Sequence, residues 1–250
     1  MSENKDLNKL HSDFISTVSH ELRTPLTSIR GFAQTLVSSY DRLDKEQQLK
    51  FLNIIQEQSE RLINLVENLL AATSGEYHSE TYVLKSVSAK KILDKVKLVL
   101  KQKYPRKEIN IFYSDNVPDM LADEDKVEQL FLNIMENACK YSFENSEVTV
   151  RVSTPDYKFL NIAVENDGIT IDDENKNKIF EKFSRLDNPM TRLTQGSGMG
   201  LYLAKNMADK MNSKILVDSK DNKTVFTIII PIATMENQTV TKLKTGEKNA

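Results

Sequence analysis

A chain of 250 residues with 39% hydrophobic and 28% charged side chains can bury one sizeable core and a smaller one, so one to two domains are expected. Thirty-four basic residues stand against 36 acidic ones with no basic block, which excludes the electrostatic footprint of a nucleic-acid binder. The longest apolar runs, such as Val225 to Ile232, fall far short of the ~20 residues of a membrane-spanning helix, and MSENKDLNKL at the start lacks the apolar segment of a signal peptide. A lone Cys139 forms no internal disulfide, and one cysteine with three scattered histidines builds no structural zinc site, so a reducing cytosol is the expected setting.

From about Lys9 to Ser38, Phe14, Val18, Leu22, Pro25, Ile29, Phe32 and Leu36 recur every three or four positions, which predicts an amphipathic helix with one buried stripe. A break at Ser38-Ser39-Tyr40-Asp41 precedes a second helix from Asp44 to Ala72. There Leu49, Leu52, Ile55, Leu62, Val66 and Leu69 follow a spacing of about 3.5, and Asp44 is placed to cap the start. A hairpin with one apolar stripe per helix cannot cover that surface alone, so pairing with a second copy into a four-helix bundle is expected. The polar stretch Ser74 to Glu80 ends the second helix and opens a linker.

Beyond the linker, Ser88 precedes a helix with Ala89, Ile92, Leu93, Val96 and Leu100 on one face, and an alternating strand runs through Ile109, Ile111 and Tyr113. Asp123 is placed to cap a helix through LFLNIMENACKYS, with acidic residues in its first turn as the dipole prefers. Strands follow at EVTVRVS and FLNIAVEN, then a loop-rich middle, a helix from about Met199 to Met211, and strands KILVDS and TVFTIIIPI. Helices mixed with adjacent antiparallel strands predict an α+β sandwich with helices on one face of the sheet. The expected divisions are a connector end at 1–10, the hairpin at 11–74, a linker at 75–85, the sandwich at 86–235 and a polar, disordered tail at 236–250.

At ~100° per residue, His20 falls about 200° from Val18 and its stripe, and so faces solvent. In isolation that describes an ordinary surface histidine. Glu21 beside it can accept the Nδ1 proton and leave Nε2 as a nucleophile, Thr24 lies on the same side one turn later, and Pro25 bends the helix just beyond. His11 falls on the apolar face and His78 in the linker. In the later domain, Asn133, Asn137, Lys140 and Tyr141 lie within ~100° of one another, beside the apolar face of Val127, Leu130, Ile134 and Ala138. Amide oxygens suit Mg²⁺, an ammonium suits phosphate and an aromatic ring suits a base, although a polar helix flank without ligand reads equally well from this helix alone. Downstream, Glu165-Asn166-Asp167-Gly168 ends a strand, Phe180-Glu181-Lys182-Phe183 forms an aromatic-bracketed turn, and Gly196-Ser197-Gly198-Met199-Gly200-Leu201 opens a helix. A glycine-rich turn there presents backbone N–H groups to phosphate, and a flexible loop explains the glycines equally well.

Ser19 to Leu36, SHELRTPLTSIRGFAQTL, resembles the phosphoacceptor box of sensor histidine kinases. In the same way NIMENACKYS, the NDG turn, FEKF and GSGMGL resemble, in order and rough spacing, that family's ATP-binding domain, a Bergerat-type α/β sandwich shared with gyrase and Hsp90. The resemblance covers about Lys9 to Pro231. It implies a two-component protein-histidine kinase core, cytoplasmic or the cytoplasmic part of a membrane-anchored sensor whose upstream region makes the only membrane contact. Such a homodimer uses ATP and Mg²⁺ to phosphorylate itself on His20 and passes the group to an aspartate of a response regulator receiver domain, with phosphatase activity at the same site.

The resemblance also implies roles: Glu21 as acid/base or orienting partner, and Thr24 positioning a water in dephosphorylation. Asn137 is the implied Mg²⁺ ligand with Asn133 assisting, Lys140 meets phosphate, Tyr141 packs on the adenine side, and Gly196, Gly198 and Gly200 shape a lid spanning Asp187 to Gln195. Asn166, Asp167, Gly168, Phe180, Phe183, Met199 and Leu201 complete the implied nucleotide-binding set. The sequence departs from the family's Asp-x-Gly-x-Gly turn, with Asn166 in the Asp place and Thr170 in the second Gly place, and Lys220-Asp221-Asn222-Lys223 replaces a Gly-rich stretch. The competing readings are a gyrase-like ATPase, disfavoured because Asn133 stands where a water-activating Glu belongs, and a non-catalytic dimeric scaffold that binds a regulator.

Overall fold

Helix-period sequence at the start and strand-period sequence after it fold as two separate units, Met1–Glu80 and Thr81–Ala250. The computed structural model describes residues 2–73, 81–182, 184 and 198–234, with side chains of the first unit described at 18–19, 22–60, 62–63 and 66. The lid at 187–195, the tail from 235 and His78 lie outside the described residues, as do Phe183 and Gly196.

In the first unit, α1 (Ser2–Ser39) leads through a 3-10 turn (Tyr40–Arg42) into α2 (Lys45–Thr73). The helix begins at Ser2, within the segment expected as a connector end. Pro25 sits inside α1, which continues through it, and is the one buried residue among those described in this unit. Asp44 and Gln47 close a reciprocal capping box: Gln47 N–H donates to Asp44 Oδ1 at 2.7 Å and Asp44 N–H to Gln47 Oε1 at 3.2 Å. Phe32 and Phe51 hold the helices together, ring centroids 5.2 Å apart. Leu26, Val37, Leu49, Leu52, Ile63 and Val66 stay exposed, so the hairpin leaves much of its apolar surface uncovered in a single chain.

Among the described residues the second unit is a sandwich of three α-helices on a five-stranded sheet. Its elements are β1 (Lys85–Val87), α3 (Ala89–Lys103), β2 (Glu108–Tyr113), β3 (Met120–Ala122), α4 (Glu124–Tyr141), β4 (Glu147–Ser153), β5 (Phe159–Asp167), α5 (Gly200–Lys210), β6 (Lys214–Lys220) and β7 (Lys223–Pro231). The sheet runs β2-β4-β5-β7-β6. Its β2–β4 pair is parallel, where only antiparallel neighbours were expected, because α4 intervenes as the crossover; β1 and β3, too short to show a period, form a separate antiparallel pair. Alternation produces the core: Val152, Ile162 and Ile228 line up across β4, β5 and β7, as do Val150, Val164 and Phe226, all buried. Against them α4 lays Val127, Leu130, Phe131, Ile134, Met135, Ala138 and Cys139, a helical stripe wide enough to be buried along its length. Ser88 holds the N-cap place of α3 but its hydroxyl makes no capping bond.

Asp123 does make one. Its Oδ1 accepts from Lys126 N–H at 3.2 Å while its Oδ2 accepts from Val83 N–H at 2.9 Å, so one carboxylate caps α4 and pins the incoming chain. Asp123→Ala is expected to lower the stability of this unit by about 1–2 kcal/mol, read as a lower urea midpoint, with Asp123→Asn recovering the cap but not the Val83 bond. An unaltered midpoint in the alanine variant would remove the clamp from this account.

On the outer face of the sheet, Glu165 accepts from Arg151 Nη1 at 2.7 Å and from Lys223 Nζ at 2.5 Å. The Lys223 ammonium first, and the Arg151 guanidinium with it, hold this carboxyl below the usual range. A depressed pKa gives stability that is present above the unfolded value, about 4.3, and is lost as pH falls through the folded value. Glu165→Gln is therefore expected to flatten the acid limb of a plot of urea midpoint against pH below about pH 5, and an equally steep limb would contradict it.

Candidate functional site

The polar flank of α4 carries a set of carboxamides that the rest of the fold leaves open. Asn133 Oδ1 accepts from Gln129 Nε2 at 3.1 Å, but its Nδ2 is buried with no hydrogen-bond partner among the described residues. Asn137, one turn on and half-buried, makes no side-chain hydrogen bond among the described residues. Lys140 lies over the Tyr141 ring at 5.2 Å from its centroid, and both are half-buried. Between them burial pushes the Cys139 thiol up to about 11, so it packs as an inert apolar group.

Two further elements approach this flank. Gly200 begins α5 beside Asn133: a Cβ built on it would lie 3.9 Å from the Asn133 amide carbon. The N–H groups of the first turn of α5 have no intrahelical partner, Met199 makes no side-chain cap, and Gly198 adopts φ 69°, a conformation that suits glycine. At the other end of α4, β5 closes in. Ser142 bridges to Gly168, Phe143 N–H donates to Asp167 C=O at 2.9 Å, and a Cβ at 168 would collide with the Tyr141 carbonyl oxygen. Gly168 is thus required by lack of space.

The same close approach seats Asn166, 4% exposed, at the end of the buried row of β5, where it pairs across strands with Val148 and Thr224. Thr170 does not line an open turn. Its hydroxyl accepts from Asn222 N–H at 3.0 Å, while Gly168 N–H donates to Asn222 C=O at 2.7 Å. Asp221 and Asn222 both have positive φ, 51° and 63°, as a two-residue hairpin between β6 and β7 requires. Beneath it Ser219 Oγ and Thr224 Oγ1 share a buried hydrogen bond at 2.8 Å.

The structure therefore brings Asn133, Asn137, Lys140, Tyr141, Asn166, Gly168, Gly198 and Gly200 to the flank and ends of α4, with half-buried Leu201 in the first turn of α5. Asp167 is exposed, its side chain on the outer face within 3.8 Å of Lys223 Nζ. Met199 and Phe180 are buried packing groups, Phe180 meeting Phe226 edge-on at 6.3 Å. Gln129, which fixes the Asn133 amide, and Asn222, which latches Gly168, were not singled out from sequence. Spacing one turn before Asn133 on a polar flank would have found the first; the second depends on a tertiary hydrogen bond that no local pattern announces. In the first unit, His20, Glu21 and Thr24 lie on α1; Thr24 is exposed, and the His20 and Glu21 side chains are outside the described set.

Among the described residues no three His, Cys, Asp or Glu side chains gather as a metal cage. An unbonded carboxamide beside a buried orphan amide instead suits a hard cation that takes one or two protein oxygens and fills its shell from phosphate and water. Among the described residues no helix is long and apolar enough to cross a membrane.

Comparison with known proteins gives two domain matches: His Kinase A (phospho-acceptor) domain over residues 10–77, and histidine kinase-, DNA gyrase B- and HSP90-like ATPase over 122–234. The chain is 32% identical over 237 residues to the sensor histidine kinase WalK of Bacillus subtilis, covering 92% of this chain and 38% of WalK. It is 32% identical over 228 residues to the uncharacterized sensor-like histidine kinase ycf26 of Pyropia yezoensis, covering 86% of this chain and 35% of that protein. The chain thus spans less than two fifths of either relative. Full-length ShkA, solved in complex with AMPPNP, matches with TM-score 0.63 and 25% identity over 88% of this chain and 45% of its own. The histidine kinase ThkA, solved with the response regulator protein TrrA, shares the fold at TM-score 0.63 and 23% identity over 92% of this chain and 64% of its own. A phosphoacceptor hairpin followed by a Bergerat-type sandwich, each matched in its own right and in this order, makes the chain a member of the sensor histidine kinase family.

Proposed function

We propose that the chain transfers the γ-phosphoryl group of ATP to its own His20 and from there to an aspartate of a response regulator, and that it removes the group from the regulator by the same surface. What carries the reading is the conjunction in one chain of a phosphoacceptor domain containing His20 and an ATPase domain whose central helix leaves the Asn137 carboxamide and the Asn133 Nδ2 without a partner among the described residues. In the first transfer a bond forms from His20 Nε2 to phosphorus while the bond to the ADP oxygen breaks; Glu21 holds the proton at Nδ1 so that Nε2 keeps its lone pair. Asn133 is a poor base for water, which favours histidine over water as nucleophile.

At the ATP end, the first-turn N–H groups of α5 with Gly198 and Gly200 receive phosphate oxygens, and Lys140 adds positive charge. Asn137, with Asn133 beside it, would hold Mg²⁺, which when bound neutralises charge on the phosphates. Tyr141 and Asn166 bound the base end, with Gly168 and Leu201 beside them and buried Phe180 and Met199 packed behind. Thr24 orients the water in dephosphorylation. The uncovered apolar residues of α1 and α2 support a homodimeric four-helix bundle, and the reading places the chain in the cytoplasm, where ATP and regulators are.

Incubation with γ-labelled ATP and magnesium is expected to give an acid-labile, base-stable label that disappears in His20→Gln. Steady phosphate release without labelled protein would instead indicate a gyrase-like ATPase, and neither product would indicate a scaffold. Asn137→Asp, which sets a carboxylate among phosphates, is expected to cut labelling by at least about tenfold while light scattering still shows a dimer. A monomeric wild-type chain would contradict the bundle.

A further inference from the structure

Asn166 closes the buried row Leu160-Ile162-Val164 on the helix-facing side of the sheet. Among the described residues its carboxamide has no hydrogen-bond partner, and although the residue as a whole is only 4% exposed its amide is not sealed from solvent. The polar groups near it are already engaged with one another: Thr224 with Ser219, and Thr170 and Gly168 with Asn222. No hydrogen bond among the described residues therefore fixes which way the amide faces, and an amide that keeps a little solvent contact and no protein partner is open to a ligand's polar edge.

The position of that amide limits what the ligand is. Gly168, two residues on, abuts the Tyr141 carbonyl at the C-terminal end of α4, whereas Asn133 meets Gly200 at the start of α5 two turns earlier, about 12 Å along the helix axis. Phosphate-receiving N–H groups at one end and a lone amide at the other are separated by the distance from the phosphates to the base of a nucleotide. Adenine presents a 6-amino donor beside the N1 acceptor, and a 6-oxopurine presents the reverse, an O6 acceptor beside an N1–H donor. A carboxamide has both a donor and an acceptor, and a half-turn about its last bond exchanges them.

With Asn166 in the base-reading place that the family resemblance gives it, we propose that, through the two faces of its amide, this site takes 6-oxopurine nucleotides, those of guanine or hypoxanthine, as well as adenine nucleotides. The inference rests on the nucleotide reading of the site given above. With adenine, Oδ1 accepts from the 6-amino group and Nδ2 donates to N1; with a 6-oxopurine, Nδ2 donates to O6 and Oδ1 accepts from N1–H. A carboxylate at 166 has no donor for O6 and repels it.

The test is equilibrium binding of ATP, GTP, ITP and CTP to the full chain with magnesium, by titration calorimetry. The expected result is that GTP or ITP binds within about tenfold of ATP and that CTP binds more weakly than all three. Asn166→Asp should raise the ratio of 6-oxopurine to adenine Kd by about tenfold or more. Tight ITP with weak GTP still supports the proposal, since the 6-oxo edge is read while the 2-amino group is excluded. Wild-type preference for ATP over both GTP and ITP by more than about tenfold overturns it, as does CTP binding as tightly as the purines, or an unchanged ratio in the variant. Should the variant fail to fold, the wild-type ratios decide alone. ATP-only binding with His20 still labelled would sink this inference and leave the kinase reading standing; binding of no purine at all would end both.

Discussion

At one point in the second unit a strand and a helix touch backbone to backbone, and the site is arranged around that contact. Gly168 presses against the Tyr141 carbonyl where even a methyl group has no room, and hydrogen bonds hold it there from two sides: Phe143 N–H donates to Asp167 C=O from the end of α4, and Gly168 N–H donates to Asn222 C=O in the β6–β7 turn. Because β5 cannot back away, Asn166 is driven into the end of the core beneath α4. Close approach rather than a flexible loop is what this glycine provides.

The helix that receives this contact is also the keystone of the core. Its apolar stripe, Val127 through Cys139, is buried against the rows of valine, isoleucine and phenylalanine on β4, β5 and β7, so its polar flank is presented on a rigid support. Asn133 and Asn137 share backbone with Ile134 and Ala138, and their positions are set by packing that no ligand has to organise. The first unit is built differently. Its α1 and α2 meet through contacts such as Phe32 on Phe51, and aliphatic side chains along both helices remain in solvent, so it is the part whose order depends on what else it meets.

Periodicity made much of this legible in advance. The 3.6-residue recurrence in α4 and the two-residue alternation in β4, β5 and β7 report burial directly, since each is imposed by which face must leave water. Asp44 and Asp123 were readable as caps because a short carboxylate before an apolar run has one favourable use. Ser88 shows the limit: it has the right residue type and place, yet its hydroxyl makes no bond to the helix start. The short β1–β3 pair and the parallel β2–β4 pairing were not legible, because three residues carry no period and strand direction is decided by the crossover, not by the strand's own residues. Within the site, the ordered polar positions on α4 could be seen, but the isolation of the Asn166 amide could not. It follows from Thr170, Ser219, Thr224 and Asn222 satisfying one another, a tertiary circumstance involving two distant hairpin strands.

Residues 166 and 168 stand two places apart on one strand and tolerate opposite things. Position 168 admits a single residue type, since any branch at its α-carbon displaces a main-chain oxygen of the neighbouring helix. The side chain at 166 has no hydrogen bond to forfeit among the described residues, so an aspartate, serine or threonine there would leave the strand's ladder pairing intact. A lineage carrying this frame is free to retune what the cleft favours by changing one side chain, without first having to rebuild the wall that holds it.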